Sequence, residues 1–186
     1  MTGERPSWKA TIAKLKVDRR RLAQLLSDDH GGFGLSFNPS YICVVCYRIS
    51  HHFFMKGHTL LARVVAHFNQ VLTGADITPE SELGEGLVIL TPPGTAICGK
   101  AGRNLTVMPC SGLGGEIGRR EDIGAGPGLP VLGDDVILEP HCGVLGPARI
   151  GNRVRICAGV LVTRDIPDDS LAEGPALRLL ARQHSS

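Results

Sequence analysis

The sequence predicts a mainly β protein, a left-handed parallel β-helix preceded by an N-terminal α-helical region. Two periodicities indicate this, because apolar residues recur at helical spacing before residue 74 and at every sixth position after it. Aromatic residues make up only 4% of the chain, so its core must consist of aliphatic and small side chains. We therefore place a helical region at residues 1–73, the β-helix at 74–166 and a tail that caps it at 167–186.

Three segments of the N-terminal region are predicted to be helices, at about residues 7–27, 40–55 and 59–73. The last one has the clearest pattern, and its apolar residues fall on one helix face: Leu60, Leu61, Val64, Val65, Phe68, Val71 and Leu72. Gly57 or Thr59 is expected to begin this helix. Gly74 is expected to end it, because glycine accepts the left-handed backbone that follows many helices.

A period of six residues is the strongest signal in the chain. Six aliphatic residues follow one another at this step: Leu132, Leu138, Val144, Ile150, Ile156 and Val162. Neither the two-residue period of a strand nor the 3.6-residue period of a helix explains it. The spacing is typical of short flat strands joined by tight corners, three of which complete one coil.

The six-residue pattern begins earlier and is then interrupted. Ile77, Leu83 and Ile89 are again six apart, whereas the period slips before residue 105. Residues 116–130 are rich in glycine and charge and match no strand. We predict that this segment is a loop that leaves the β-helix, and loops on a rigid scaffold commonly carry function.

Charge and composition exclude several classes of function. A net charge of +2, from 20 basic and 18 acidic residues, predicts neither nucleic-acid binding nor adsorption to a membrane. The chain shows no signal core and no stretch as long as a membrane span, so we expect a cytoplasmic protein with reduced thiols. Cys43 and Cys46 form a single CxxC, which favours buried thiols over a metal or redox site.

Several motifs resemble the serine acetyltransferase family of the hexapeptide-repeat acyltransferases. They are Tyr47-Arg-Ile-Ser-His-His-Phe-Phe, Leu72-Thr-Gly-Ala-Asp-Ile-Thr-Pro, Val131-Leu-Gly-Asp-Asp-Val and Val162-Thr-Arg-Asp-Ile-Pro. The resemblance implies acyl transfer from acetyl-CoA to a small acceptor that bears a hydroxyl or amine group. It also implies a homotrimer, or a dimer of trimers, with acyl-CoA in the groove between neighbouring β-helices. No metal is expected, since the repeat region has one histidine and a zinc site would need three.

The resemblance further implies a histidine base, oriented by a carboxylate, that takes the proton of the acceptor hydroxyl. Asp76 matches the carboxylate, but Thr91 stands where the family has its base, and a threonine hydroxyl cannot act as a base at neutral pH. A second family histidine is absent near residues 128–130. His141 is the candidate for a displaced base, and the alternative is a plain surface histidine.

For the acyl-CoA end, the resemblance points to five positions. Ala158 and Gly159 would offer main-chain groups to the pantetheine amides, and Thr163 is the third of these positions. Arg164 and Arg178 would meet phosphates, with an ordinary solvated surface as the alternative. Because both family histidines are replaced, a second hypothesis stays open, namely a catalytically inactive trimeric scaffold or a CoA-binding pseudoenzyme.

Overall fold

A computed structural model describes residues 7–26 and 33–174 of the 186-residue chain. Within these ranges, four helices precede fourteen short strands. The helices are α1 (Trp8–Leu25), α2 (Phe33–Ser36), α3 (Pro39–Met55) and α4 (Thr59–Thr73). The strands are β1 (Asp76–Ile77), β2 (Glu82–Leu83), β3 (Val88–Ile89), β4 (Ala96–Ile97), β5 (Lys100–Ala101), β6 (Thr106–Val107), β7 (Gly112–Gly114), β8 (Val131–Leu132), β9 (Ile137–Leu138), β10 (Gly143–Leu145), β11 (Arg149–Ile150), β12 (Arg155–Ile156), β13 (Leu161–Val162) and β14 (Leu171–Ala172).

The strands form a prism with three parallel faces. Face A contains β1, β4, β7, β10 and β13, face B contains β2, β5, β8 and β11, and face C contains β3, β6, β9, β12 and β14. Each of the first four coils adds one strand to every face, the last coil adds one to faces A and C, and the strands of successive coils pair in parallel. In the later coils Val131 pairs with Arg149, so one turn takes three six-residue units, as the period predicts.

The aliphatic residues of the six-residue period fill the prism. The predicted residues are all at most 5% exposed: Ile77, Leu83, Ile89, Leu132, Leu138, Val144, Ile150, Ile156 and Val162. Burying one side chain of this size contributes roughly 1.5–3 kcal/mol. The inward column is therefore the main source of stability of the β-helix, and the predicted period is confirmed.

The chain leaves the prism between β7 and β8. Gly112 of β7 pairs with Gly143 of β10, so this coil takes 31 residues where the later ones take 18. The excursion occupies the residues between Gly114 and Val131. The Asp122 carboxylate accepts hydrogen bonds from two glycine N–H groups within it, at 2.8 and 3.0 Å. The excursion thus has local structure of its own and lengthens the coil without adding strands to the three faces.

A buried ion pair attaches the helices to the first coil. Arg48 of α3 donates to both carboxylate oxygens of Asp18 in α1, at 2.9 and 3.1 Å, and both side chains are 1% exposed. Arg48 also donates to the carbonyl oxygens of Leu83 and Gly84, at 2.6 and 2.5 Å. Asp18 accepts the N–H of Leu87 at 2.8 Å. Two helices and one coil therefore share a single charged network.

The apolar face of α4 points outward. The helix begins at Thr59 and ends before Gly74, which has the predicted left-handed backbone with φ 75°. Its buried residues are Ala62, Asn69 and Thr73. Most of its predicted apolar stripe is 44–79% exposed: Leu60, Leu61, Val64, Phe68, Val71 and Leu72. The helical period is confirmed, but the small and polar side of the helix is the one that packs inside the chain.

His52 of α3 has a buried imidazole ring, and both of its nitrogens are shielded from solvent. It is 1% exposed and stacks on Trp8 with 3.9 Å between the ring centroids. Its Nδ1 lies 3.0 Å from the Thr11 hydroxyl, whereas its Nε2 is buried without a hydrogen-bond partner among the described residues. Burial, with a smaller contribution from Lys56, lowers the pKa of His52 below its usual value.

We expect acid to destabilise the fold through this histidine. The unfolded chain binds the proton near pH 6.5, whereas the folded state takes it only at lower pH, so the free energy of unfolding falls as the pH drops below about 6.5. Replacing His52 with phenylalanine keeps a ring against Trp8 and should reduce this slope. Burial also lowers the pKa of His51, which accounts for a remaining part.

Urea denaturation at about pH 7.5 and about pH 5.5 measures the slope. His67→Phe is the matched control, because His67 is exposed and its replacement should leave the slope as in the wild type. An unchanged slope in His52→Phe would contradict the assignment.

Two glycines of β7 provide a test of how closely the coils pack. A Cβ built on Gly112 would overlap the main-chain oxygen of Ala96 on the preceding coil, whereas one built on Gly114 meets no atom within 4 Å. Gly112→Ala should therefore lower the free energy of unfolding by about 1–3 kcal/mol. Gly114→Ala, in the same strand, should change it by less than about 0.5 kcal/mol. Equal effects of the two variants in chemical denaturation would contradict the packing described here.

Candidate functional site

The prism edge between faces C and A carries a stack of corner residues with left-handed backbone. We call it the corner column; it consists of Gly94, Cys110, His141 and Gly159, with φ values of 79°, 55°, 60° and 73°. Each residue stands two positions before a strand of face A. The His141 N–H donates to the carbonyl oxygen of Pro109 at 3.0 Å, which joins its corner to the preceding coil. The column therefore places one residue per coil along the edge.

Two members of the corner column have functional side chains. Cys110 and His141 are both exposed, and they occupy the same corner position on successive coils. Neighbouring parallel strands lie about 4.8 Å apart, and the corners of successive coils follow the same spacing. The glycines Gly94 and Gly159 flank the pair. The Cys110 sulfur lies over Gly94, 3.0 Å from a Cβ built there, whereas a Cβ built on Gly159 meets no atom within 4 Å. The predicted base thus has a thiol as its neighbour on the column.

Within one chain, the predicted base does not meet the predicted carboxylate. Asp76 begins β1, whereas His141 precedes β10, and three strand spacings of face A separate these levels, which amounts to roughly 14 Å. Thr91 lies in the turn between β3 and β4, exposed and with φ 54°. The Asp76 N–H donates to the carbonyl oxygen of Thr95 at 2.9 Å, which holds Asp76 near that turn. Asp76 and Thr91 therefore occupy the first levels of the prism and His141 a later one.

A shallow trough on face A lies beside the corner column. It has a volume of about 250 Å³, and Cys110 stands at its margin. Gly112 and Gly143, which pair with each other, present no side chain to solvent, and Gly114 continues the floor. Glycine at these positions leaves main-chain atoms accessible next to the thiol. A small group can therefore approach the Cys110 sulfur from the trough.

A larger cavity, of about 910 Å³, opens at the last coil. Gly159, Thr163 and Arg164, three of the positions predicted to bind acyl-CoA, line it, and the two side chains are exposed. Ala158 lies next to the cavity lining along the chain. Arg178 lies outside the described residues. The cavity and the corner column meet at Gly159.

Glu139 holds the corner that carries His141. Its carboxylate accepts a hydrogen bond from Arg155 Nε at 2.5 Å and one from the Ala158 N–H at 3.0 Å. These two bonds, the one from Arg155 first, lower the pKa of Glu139 below its usual range. Because both bonds come from the following coil, Glu139 ties the two coils together. The Ala158 N–H is therefore already bonded to Glu139, so a ligand would meet the carbonyl oxygen of Ala158 and not its N–H.

Cys110 differs from the other cysteines that the structure describes. Burial raises the pKa of Cys43 to about 11 and that of Cys142 to about 12. Cys46, Cys98 and Cys157 are half-buried, whereas Cys110 is exposed. Its Sγ lies 3.8 Å from the carbonyl oxygen of Pro93, over the turn that contains Gly94. Cys110 is thus the most accessible thiol in the described part of the chain.

Cys110 belongs to none of the motifs described above, although the six-residue period contains a signal for its position. Cys110 follows the inward residue Val107 by three positions, and His141 follows Leu138 by the same number. Residues at equal places in the repeat lie above one another on the prism. Comparing equal places across the long loop would have paired the thiol with the imidazole.

Among residues 7–26 and 33–174, no group of three or more His, Cys, Asp or Glu side chains is arranged to hold a metal ion. None of the helices in these ranges combines the length and the apolar content that crossing a bilayer requires.

Comparison with known proteins relates the chain to one family. Residues 130–164 match the family described as "Bacterial transferase hexapeptide (six repeats)". The serine acetyltransferase of Synechococcus elongatus is 31% identical over 149 residues, which cover 77% of this chain and 58% of that protein. The serine acetyltransferase of Mycobacterium tuberculosis is 30% identical over 150 residues, which cover 80% and 63%. The chain thus spans about three fifths of the length of these relatives.

Solved structures show the same fold. Serine acetyltransferase of Neisseria gonorrhoeae superposes with a TM-score of 0.80 at 23% identity, over 90% of this chain and 66% of that chain. A serine acetyltransferase in complex with CoA gives 0.79 at 18% identity, over 93% and 71%. This likeness confirms the predicted left-handed parallel β-helix with its N-terminal helical region. The chain is therefore a serine acetyltransferase-like member of the hexapeptide-repeat, left-handed β-helix proteins.

Proposed function

We propose that this protein transfers an acyl group from acetyl-CoA to a small acceptor that bears a hydroxyl or amine group. One observation carries this: the exposed His141 stands on the corner column, one coil from Gly159 at the margin of the large cavity. The serine acetyltransferases that are 30% and 31% identical to the chain support the reaction class. A CoA complex of a protein with this fold supports the donor.

In this reaction His141 is the general base. A hydroxyl is a poor nucleophile until a base that titrates near neutral pH removes its proton, and imidazole is the side chain suited to this. Within one chain, neither Asp76 nor Glu139 orients the His141 ring. Asp76 lies three coils away, about 14 Å along the prism axis, and the Glu139 carboxylate is bonded to Arg155. Within one chain, His141 therefore lacks the carboxylate that the family resemblance implies.

Asp76 and Thr91 are assigned a binding role. Both are exposed near the first coils, where a carboxylate and a hydroxyl offer hydrogen bonds to polar groups of an acceptor. They lie too far along the prism to take part in moving the proton at His141.

The donor is assigned to the cavity of the last coil. Gly159 leaves its main chain open, because no atom lies within 4 Å of a Cβ built there. Arg164 offers a guanidinium to the phosphates of the carrier, for which its planar donor geometry is suited. Thr163 adds a hydroxyl to the same lining, and Arg178 is the predicted second phosphate ligand. In this proposal, the thioester end of the donor lies toward the corner column.

We further propose that the working form is a homotrimer or a dimer of trimers. The exposed apolar face of α4 supports contact with other chains, since a single soluble chain rarely leaves so large an apolar stripe uncovered. Sedimentation of the full chain tests this, with a mass of three or six chains expected and a monomer as the contradicting result.

The test of the proposed activity is the release of CoA thiol from acetyl-CoA in the presence of a panel of hydroxyl and amine acceptors. Thermal melting with and without CoA accompanies it, because a ligand that binds the folded state raises the melting temperature. Acceptor-dependent thiol release is the expected result. No turnover together with no CoA binding would overturn the proposal.

A CoA-binding pseudoenzyme or inactive scaffold is the second candidate. The separation of Asp76 from His141 and the presence of Thr91 where the family has its base favour it. Stabilisation by CoA without thiol release for any acceptor would support this alternative, and thiol release would eliminate it.

A further inference from the structure

We propose that a groove between the helices and face B binds a small organic acid that carries a hydroxyl group as well as its carboxylate. This face B groove has a volume of about 520 Å³, and its lining includes Lys14, His51, Met55, Glu82 and Lys100. It lies at the first two coils, on a different face from the trough of face A and away from the cavity of the last coil. The inference therefore goes beyond the proposed acyl transfer and does not depend on it.

The ammonium group of Lys14 is the first feature that indicates a ligand. Lys14 is half-buried, and it forms neither a hydrogen bond nor an ion pair with any residue that the structure describes. Burial, followed by the Arg48 guanidinium, lowers the pKa of Lys14. The nearby carboxylates act in the opposite direction without cancelling this effect: Asp18, Glu85 and Glu82. An anionic group in the groove would supply the missing partner through a charge-assisted hydrogen bond, which is one of the stronger kinds.

His51 offers a hydrogen-bond acceptor to the same groove. Its Nδ1 lies 2.9 Å from the carbonyl oxygen of Pro79. A carbonyl oxygen can only accept, so Nδ1 carries the proton, and Nε2 of the neutral ring is an acceptor. Burial lowers the pKa of His51, and the charges of Lys14 and Arg48 act in the same direction, so the ring is neutral at neutral pH. The ligand therefore needs a donor, such as a hydroxyl, in addition to its anionic group.

The charge of the lining favours a carboxylate over a phosphate. Lys100 is paired with Glu82 at 2.9 Å and His51 is neutral, so Lys14 is the described lining residue with an unmatched charge. The main chain adds few donors, because the N–H groups of Glu82, Gly84 and Lys100 bond to carbonyl oxygens of the following coil. A phosphate carries nearly two negative charges and three strong acceptor oxygens, which this lining does not match. One cation and one acceptor fit a hydroxycarboxylate.

The rest of the groove suits an apolar side group on the acid. Met55 of α3 is 39% exposed, and the lining continues with Leu83 and Ala101, which are almost fully buried. The volume lies within the range that is usual for small-molecule sites. Because α1, α3, β2 and β5 all contribute to the lining, a bound acid connects the helices to the first two coils. Binding should therefore raise the melting temperature.

The test is a titration of the full chain at neutral pH with each enantiomer of mandelate, which combines a carboxylate, a hydroxyl and an apolar ring. Binding is followed by NMR of the histidine ring protons, and the His51 signals are assigned by their absence in His51→Asn. We expect one enantiomer to shift the His51 signals with a dissociation constant of about 1–10 mM, as is usual for so small a ligand. If neither enantiomer shifts them, the inference is wrong.

Three further probes test the class of ligand. Phenylacetate lacks the hydroxyl and 1-phenylethane-1,2-diol lacks the charge, so each should bind at least about 10-fold more weakly than mandelate. Inorganic phosphate should also bind more weakly. Binding of phenylacetate, the diol or phosphate as tight as that of mandelate would overturn the assignment of a hydroxycarboxylate.

Lys14→Met removes the charge and keeps a flexible side chain in α1, so mandelate should bind it at least about 10-fold more weakly than the wild type. Lys16→Met is the matched control, because Lys16 is exposed on the same helix and does not line the groove. An unchanged affinity in Lys14→Met, or an equal loss in both variants, would contradict the site.

The proposed acyl transfer is measured separately. Acceptor-dependent thiol release should be the same in Lys14→Met and in the wild type, because neither His141 nor the cavity of the last coil belongs to the face B groove. A wild-type protein that releases thiol but does not bind mandelate would overturn this inference and leave the proposed function standing.

Discussion

Replacing Arg48 with methionine should lower the free energy of unfolding by about 3–5 kcal/mol, the usual cost of breaking a buried ion pair. Among the residues that the structure describes, the substitution leaves the Leu87 N–H as the remaining hydrogen-bond donor to the Asp18 carboxylate, which is 1% exposed. It also removes the donors of two carbonyl oxygens of the first coil, those of Leu83 and Gly84. Because this network joins α1 and α3 to the β-helix, we expect the helical region to detach from the first coil.

The matched control is Arg103→Met. Arg103 also makes two hydrogen bonds to one carboxylate, that of Asp134, but the two side chains are 66% and 32% exposed. Water replaces such a bond readily, so the change should be at most about 1 kcal/mol. Urea denaturation of both variants at neutral pH measures the difference. Similar costs for Arg48→Met and Arg103→Met would show that the buried network contributes little.

Replacing His141 with glutamine should slow acceptor-dependent thiol release by about 100- to 10,000-fold, the range that general bases contribute. Glutamine keeps hydrogen-bonding capacity and similar length but cannot carry the proton. His141 is exposed and does not line the cavity of the last coil, so stability and CoA binding should stay unchanged. A selective loss of turnover would therefore identify His141 as a participant in the chemistry.

His67→Gln serves as the control for this substitution. His67 is exposed on α4 and borders an apolar pocket away from the corner column. Its replacement should leave the rate of thiol release as in the wild type. Equal rates for wild-type protein and His141→Gln would leave His141 a surface residue and direct the search for a base elsewhere.

The helices and the repeat could be predicted from the sequence because both patterns are local. Leu132 and Val162 belong to one series of six-residue steps, and each member is buried as expected. Gly74 ends α4 with the left-handed backbone that its position after the last apolar residue indicates. In each case, the residue and its near neighbours in the chain determine the conformation.

The direction in which α4 packs could not be predicted in the same way. Its stripe of leucine, valine and phenylalanine indicates an amphipathic helix, and such a stripe ordinarily faces the core. In the structure, Ala62, Asn69 and Thr73 face inward instead. Small side chains allow close approach of another helix, and the amide of Asn69 donates to the Cys43 carbonyl oxygen of α3 at 3.2 Å. The choice of face depends on that partner helix, which the period of α4 does not describe.

The sequence by itself determined the kind of coil and the outward position of the corner residues, because a repeated six-residue unit imposes the same local geometry each time. Only the tertiary structure decided which polar side chains share a level of the prism. The excursion between β7 and β8 places residues 31 apart in the chain on neighbouring coils, so Cys110 and His141 hold the same corner of consecutive coils. Asp76 matches a family carboxylate by motif, yet three strand spacings separate it from His141. The position of a residue along the prism axis depends on the number of completed coils. Where a coil carries an insertion, the number of residues between two positions no longer gives their separation along this axis.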